Sequence, residues 1–325
     1  MRTVRFHAYG GPDVLKVEEV DVPVPGEGQV LIRTTAIGAN FVDTKFRRGP
    51  SAGSLFTMPL PGSPTGDVVG TVEATGPGVA ATLTGRRVAA LAARDAFADF
   101  VLADAAAIAE VPDGLDDGAA SVLPSPAPVA LRVVRAGRVA AGETVLVHAA
   151  AGTIGHLAVQ LAKLEGAGTV IATAGSAAKL EFARAHGADV AIDYTADDWP
   201  DQVRAAAPRG LDVVLDSVGG AVLRTGIDLL APFGRLVAYG VASGEFGDVP
   251  VMDLVGLRTV TAFSLLAWRA AAPERAAAEV AELAGHLAAG RLRVSVHTRL
   301  PLGEAVAAHR ILENREQLGR VLLIP

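Results

Sequence analysis

Apolar positions change their spacing part-way along the chain, and the change predicts two differently built regions. In the first third they form short runs, Val30–Thr34, Val68–Val72 and Arg87–Leu91, each of strand length. Turn-rich pieces separate them: Val22–Gly28, Gly49–Gly53, Pro59–Gly66 and Gly76–Gly78. Many short strands punctuated by Gly and Pro predict an all-β barrel or sandwich. A piece carrying Pro124, Pro126 and Pro128 then leads into a helix at Val129–Arg135, and the domain boundary is expected there.

From Glu143 the rhythm alternates. Wholly apolar strands are expected at Thr144–His148, Thr169–Thr173, Asp189–Ile192, Leu211–Asp216 and Arg235–Gly240. Helical spacings fall between them, at Ile154–Leu164, Ala177–His186, Trp199–Ala207 and Val222–Leu230. Strands apolar on both faces, alternating with helices, predict a parallel sheet covered on both sides. The remainder reads as a strand (Val260–Leu265), an Ala-rich helix opened by Pro273, a helix at Leu302–Asn314 and a closing strand at Val321–Ile324. The expected fold class is α/β, a doubly wound sheet domain beside a β-rich one.

Composition narrows the function. The 325 residues suggest two domains at about 150 residues each, and half of them are apolar, enough for a large core. A balance of 29 basic against 35 acidic residues, net −6, argues against nucleic acid as partner, which needs a dense basic surface. The chain has no cysteine, which excludes disulfides and thiolate zinc sites. Thr144–Ala162 lacks Asp, Glu, Lys and Arg, yet His148, His156, Gln160, Gly152 and Gly155 punctuate it. It reads as strand, turn and helix rather than a membrane span. Arg2 and Arg5 precede no apolar run before Asp13, so no secretory signal is read and a soluble, cytoplasmic protein is expected.

The sharpest local pattern is TVLVHAAAGTIG, residues 144–155. After the strand, Ala150, Gly152 and Gly155 take the places of a G-x-G-x-x-G turn, with Thr153 and Ile154 opening the helix. A small first residue allows the tight turn, Gly152 lets a pyrophosphate approach, and Gly155 lets the helix pack on its strand. The helix start offers N–H groups and a positive dipole end to an anion. Alone, such a pattern is also an ordinary strand–turn–helix connection; here further strand–helix alternations surround it. NAD binders place an acid about 20 residues on, for the ribose 2′-hydroxyl. This strand runs instead into Ser176, with Lys179 close behind. A hydroxyl and an ammonium suit a 2′-phosphate, so NADP(H) is the expected cofactor, although Lys179 also fits a solvated helix-start lysine.

Together these segments resemble the zinc-free quinone oxidoreductase (zeta-crystallin-like) branch of the medium-chain dehydrogenase/reductase superfamily. The resemblance covers essentially the whole chain: the opening RFHAYGGPDVLKVEEVDVPVPGEGQVLIRTTAIGANFVDTKFRRG, the turn VLVHAAAGTIGHLAVQLAKLEGA, LDVVLDSVGG, GRLVAYGVASG and the tail PLGEAVAAHRILENREQLGRVLLIP. It implies a GroES-like β-barrel domain from residues 1–124, a Rossmann NADP(H)-binding domain from 125–266, and a return segment, 267–325, completing the first. It further implies NADPH as donor, a cleft between domains for a small quinone or enone, and a homodimer through Rossmann edge strands. Asn40 and Asp43 match the family's N-x-x-D on the nicotinamide side. Ser176, Lys179 and Tyr194 match the positions that hold the 2′-phosphate. Val218, Gly240, Phe263 and Ser264 match segments along the cofactor.

The chain departs from the family pattern at several points. Lys45 and Ser51 replace two frequent tyrosines, Val129 stands where a threonine is frequent, and Asp67 lacks the histidine of the zinc branch's G-H-E. No metal site is expected. Hydride delivery to an enone builds charge on a carbonyl oxygen that a donor must stabilise, and Lys45 is the candidate donor or else a solvated rim lysine. Asp43 reads equally as a turn carboxylate, and His148 as a core group. No G-x-S-x-G elbow supports hydrolase chemistry. A protein that binds NADPH as a sensor or scaffold, with little turnover, is the competing reading.

Overall fold

The structure is a computed structural model and describes residues 1–50 and 56–325. Ser51 and most of the turn-rich piece Gly49–Gly53 lie outside the described residues. The chain folds into two compact units, Met1–Ser125 with Val280–Pro325, and Pro126–Glu279.

The first unit runs β1 (Arg2–Arg5), β2 (Lys16–Glu19), β3 (Gln29–Ala39), α1 (Phe41–Arg48), β4 (Gly66–Thr75), β5 (Arg87–Ala92), β6 (Phe100–Asp104), β7 (Ala109–Glu110) and α2 (Asp117–Ala120). The second runs α3 (Pro126–Ala136), β8 (Thr144–Val147), α4 (Thr153–Leu164), β9 (Thr169–Ala174), α5 (Ala177–Ala185), β10 (Val190–Asp193), α6 (Trp199–Ala206) and β11 (Leu211–Asp216). It continues through α7 (Gly220–Asp228), β12 (Leu230–Ala238), β13 (Thr259–Ala262) and α8 (Leu265–Ala271). In α9 (Pro273–Ala288) the chain crosses back, to end with β14 (Val296–Pro301), α10 (Ala305–Glu313) and β15 (Arg320–Ile324).

The closing strand completes the first unit. Its seven-stranded sheet has the order β14-β15-β3-β4-β5-β7, with β6 also on β3, and β15 pairs antiparallel with β3 in the register Leu322 to Gly38. Val30, Ile32, Ile37, Val68, Val88, Phe97, Leu302, Val321 and Leu323 share its core. Residues near both ends of the sequence therefore build one hydrophobic interior.

The punctuation of the first third predicts an all-β region, and the structure departs from that. α1 interrupts it, and the cause is a buried face made of polar side chains: Asp43, Thr44 and Arg47 are buried. Helical spacing of apolar residues, the usual sign of an amphipathic helix, is absent where ion pairs and hydrogen bonds do the packing.

In the second unit six parallel strands take the order β10-β9-β8-β11-β12-β13. This is the doubly wound Rossmann order, reversing between β8 and β11. Leu146, Ile171, Val214 and Leu236 are completely buried, as strands covered on both faces require. The expected strand Val260–Leu265 ends early at Ala262, because the Ser264 hydroxyl accepts the Ala267 N–H (3.3 Å) and opens α8. Residues 267–279 group with this unit rather than with the return segment. Glu279 accepts hydrogen bonds from Arg132 (3.0 Å) and the Trp268 indole (3.1 Å), and the Arg132 guanidinium lies 3.9 Å from the Trp268 ring centre. Among the described residues no helix is long and apolar enough to cross a membrane.

Candidate functional site

The twelve residues singled out for the cofactor all fall just beyond the carboxyl ends of the six parallel strands. Ala150, Gly152, Thr153, Ile154 and Gly155 follow β8, Ser176 and Lys179 follow β9, and Tyr194 follows β10. Val218 follows β11, Gly240 follows β12, and Phe263 and Ser264 follow β13. Open parallel sheets bind ligands at this edge, near the point where strand order reverses.

Local geometry there fits a dinucleotide. Ala149, at φ +50°, turns the chain sharply out of β8 in a conformation that L residues seldom adopt. A Cβ on Gly155 would stand 2.3 Å from the Ala149 carbonyl oxygen, so only glycine lets α4 lie this close to its strand. Gly152 is the N-cap of α4 and brings no side-chain cap, which leaves backbone N–H groups and the dipole's positive end for an anion.

At the end of β9, Ser176 is the N-cap of α5 and makes no capping bond with its side chain. A Cβ on Gly175 would stand 3.8 Å from the Tyr194 hydroxyl, so Tyr194 comes close to the chain beside Ser176. Lys179 is the third residue of α5. Ser176 and Lys179 thus follow β9 with no acid among residues 175–179, where an NAD site would present a carboxylate.

Deeper in the sheet edge, the Asp216 carboxylate ends β11 and accepts the N–H groups of Val218 (2.5 Å) and Gly219 (3.1 Å). Gly240 has no room for a side chain, since its Cβ would meet the Ser217 carbonyl at 2.7 Å. Phe263 donates its N–H to Ala238 (2.9 Å). His148 is completely buried, with Nδ1 2.8 Å from the Thr173 hydroxyl. Burial lowers its pKa, so it sits neutral in the core.

In the first unit, Asn40 caps the start of α1, and its side chain is engaged from two sides. Nδ2 donates to Asp67 (3.0 Å) and Oδ1 accepts from Arg320 (2.6 Å). Asp43 is 1 % exposed; its Oδ1 accepts the Thr65 N–H (2.9 Å) and hydroxyl (2.5 Å), tying α1 to the approach of β4. Its other oxygen is buried without a partner. Burial pushes the Asp43 carboxyl up to about 7, with nearby Asp67 adding to the rise and the Thr65 bonds opposing it. Lys45 is half-buried with its ammonium 5.3 Å from the Phe41 ring centre. Its pKa is lowered by burial and then by Arg315 and Arg48, with Glu313 pulling the other way. Among the described residues no three His, Asp or Glu side chains stand together as metal ligands.

Comparisons with known proteins agree with this architecture. Residues 26–113 match the alcohol dehydrogenase GroES-like domain and residues 153–283 the zinc-binding dehydrogenase family. A quinone oxidoreductase of Pseudomonas aeruginosa is 35% identical over 100% of this chain and 99% of its own length. The chain belongs to the quinone oxidoreductase branch of the medium-chain dehydrogenase/reductase superfamily. A 2-haloacrylate reductase from Burkholderia is 36% identical over 98% of both chains. The solved Escherichia coli quinone oxidoreductase, complexed with NADPH, superposes with a TM-score of 0.92 at 31% identity and covers both chains completely.

For a member of this branch, one part of the site was not foreseen from sequence. Arg320 and Asp67 are completely buried and paired, and they hold both ends of the Asn40 amide. The available sign was an arginine at the head of an otherwise apolar closing strand. Arg47, likewise fully buried, donates to His309 Nδ1 (3.2 Å) and pairs with Glu313.

Proposed function

We propose that this chain is an NADPH-dependent reductase of quinones or α,β-unsaturated carbonyl compounds that works without a metal ion. The observation that carries the reading is the segment after β9, where Ser176 and Lys179 follow, no acid occurs among residues 175–179, and the Tyr194 hydroxyl comes close to Gly175. Relatives of full matching length act on a quinone or a 2-haloacrylate by name, and one is solved with NADPH. Both substrate types carry a double bond conjugated to a carbonyl or carboxyl group.

NADPH, when bound, supplies the hydride. The backbone of Ala150–Gly155 takes its pyrophosphate at the start of α4, and the β9 and β10 ends take its 2′-phosphate. Val218, Gly240, Phe263 and Ser264 lie along its path. Asn40 contacts the ribose or nicotinamide side, and Lys45 offers its ammonium to the substrate oxygen as negative charge develops there. Lowering of the Lys45 pKa by burial, and then by Arg315 and Arg48, makes its proton easier to give up. Asp43 braces α1 through Thr65 rather than meeting the substrate. The chain lacks cysteine, which supports a route without thiolate-bound zinc.

We further place the protein in the cytoplasm as a homodimer, with β13 as the contact. This strand is the outer edge of its sheet and mostly exposed. The segment before it exposes Val251, Met252, Val255 and Leu257, an apolar surface next to an unpaired strand edge.

NADPH oxidation, with NADH as control, against ortho- and para-quinones and small enones tests the reading. Turnover with NADPH on either acceptor class supports it, and a saturated product identifies two-electron double-bond reduction. NADPH binding with no acceptor reduced favours the sensor or scaffold. Lys45→Met is expected to lower kcat while leaving the NADPH KM unchanged; unaltered kinetics return Lys45 to a solvated rim.

A further inference from the structure

Asn40 has two faces that resemble each other in shape and differ in chemistry: a carbonyl oxygen that only accepts and an amino group that only donates. What such a side chain offers a ligand depends on which way the amide is turned. Two groups decide this here. The Arg320 guanidinium, which only donates, faces Oδ1 at 2.6 Å, and the Asp67 carboxylate faces Nδ2 at 3.0 Å. A flipped amide would set its NH2 against the guanidinium and its oxygen against the carboxylate, losing both bonds to like-against-like contacts.

The guanidinium is itself fixed on all sides. Its five N–H groups reach the Ser121 hydroxyl (3.4 Å), the Ala39 carbonyl (3.4 Å), Asn40 Oδ1, Asp67 Oδ2 (2.5 Å) and the Ser121 carbonyl (3.2 Å). Those are all the donors an arginine has. Space for it comes from Gly38, opposite Leu322 in the β3–β15 ladder. A Cβ on Gly38 would fall 1.6 Å from the Arg320 nitrogen. The pair brings together the start of α1, the start of β4 and the last strand of the chain.

Stability alone is a weak reason for such a pair. Burying two charges costs desolvation that their attraction repays only in part, and apolar replacements of both partners are often no less stable. A rigid acceptor and a rigid donor on either side of one amide serve orientation instead.

We propose that Arg320 and Asp67 are positioning residues that lock the Asn40 amide in one orientation, so that its second Nδ2–H, the one not given to Asp67, is the group presented to bound NADPH. This deepens the functional reading and rests on its assignment of Asn40 to the cofactor's ribose or nicotinamide side. Without the pair, the amide samples both orientations and the N–H is presented only part of the time.

A double-mutant cycle on NADPH affinity, read as Kd by isothermal titration of the full-length protein, tests it. Replacing both charges together, Arg320→Met with Asp67→Leu, removes the lock without leaving a lone buried charge. Gly38→Ala expels the guanidinium while leaving both charged residues in the sequence. Thermal unfolding identifies the variants that fold. Asn40→Ala is expected to weaken NADPH binding about five- to tenfold, the worth of one hydrogen bond. The charge-free double replacement should cost about two- to fivefold alone. Added to Asn40→Ala, it should cost nothing further within about twofold, because it acts only through Asn40. Independent, multiplying losses would overturn the lock, as would wild-type affinity in the charge-free variant. Unchanged affinity in Asn40→Ala would instead overturn the assignment of Asn40, and the lock with it. Failure of the charge-free variant to fold passes the same cycle to Gly38→Ala, with the same expected and contradicting results.

Discussion

The two units handle polar groups in opposite ways. The parallel-sheet unit keeps its strands mostly apolar, apart from the buried Asp216 that ends β11. It leaves polar backbone at their carboxyl ends, where Gly152 and Gly155 hold a helix start clear of side chains. The β-rich unit instead buries whole charged side chains, Arg47, Asp43, Asp67 and Arg320, each 1 % exposed or less. In the first case the turn after β8 offers backbone, placed by small residues close in sequence, and Ser176, Lys179 and Tyr194 add side chains after the next two strands. In the second the functional groups are side chains, tied to partner side chains 22 to 280 residues away in sequence.

Removing one partner from the buried set should break that contrast most severely. Arg47→Met leaves the Gly10 carbonyl without its donor and Glu313 to the exposed Arg48, and the expected loss is about 3–5 kcal/mol in urea unfolding. A loss below about 1 kcal/mol, the level of an exposed pair, would show that the unit does not depend on its buried charges.

Asp43 should give the second largest effect, and one that depends on pH. The folded protein holds the Asp43 proton up to about 7, whereas the ordinary value is 3.8. Between these values the native state binds a proton that the unfolded chain has released, so its stability falls as pH rises. The penalty reaches about 4 kcal/mol near pH 7 and stays level above it. Asp43→Asn lacks this slope, and the difference in stability between it and the parent should shift in its favour from pH 4 to 7. Parallel profiles would show that Asp43 keeps an ordinary pKa.

On the other side of the comparison, Gly155→Ala pushes a methyl group against backbone at Ala149. About 1–3 kcal/mol of stability should go with it, together with most of the NADPH affinity. Retained affinity would mean that the turn after β8 is a plain connection. The smallest effect is expected at the surface: Lys179→Ala should raise the NADPH KM about tenfold, or about 1.4 kcal/mol, and leave the NADH KM unchanged. Equal changes for both cofactors would remove Lys179 from the phosphate site.

The same contrast explains what could be read from sequence. Strands that are apolar throughout announce themselves, so β8 to β11 were legible to within a residue or two, and the spacing of Ala150, Gly152 and Gly155 pointed to the turn. The helix α1 was not legible, because Asp43, Thr44 and Arg47 on its buried face look like solvent residues. Nor was α8, which a serine cap starts two residues after β13. The support of Asn40 joins positions 40, 67, 121 and 320. No local pattern records a hydrogen bond that spans most of the chain.

Direct titration of the protein with NADPH and with NADH addresses the central claim, that the ends of β8, β9 and β10 form a site for a 2′-phosphorylated dinucleotide. The account predicts NADPH binding at least about tenfold tighter than NADH, the worth of one charge-assisted contact or more. Equal affinities, or no binding of either, would contradict it.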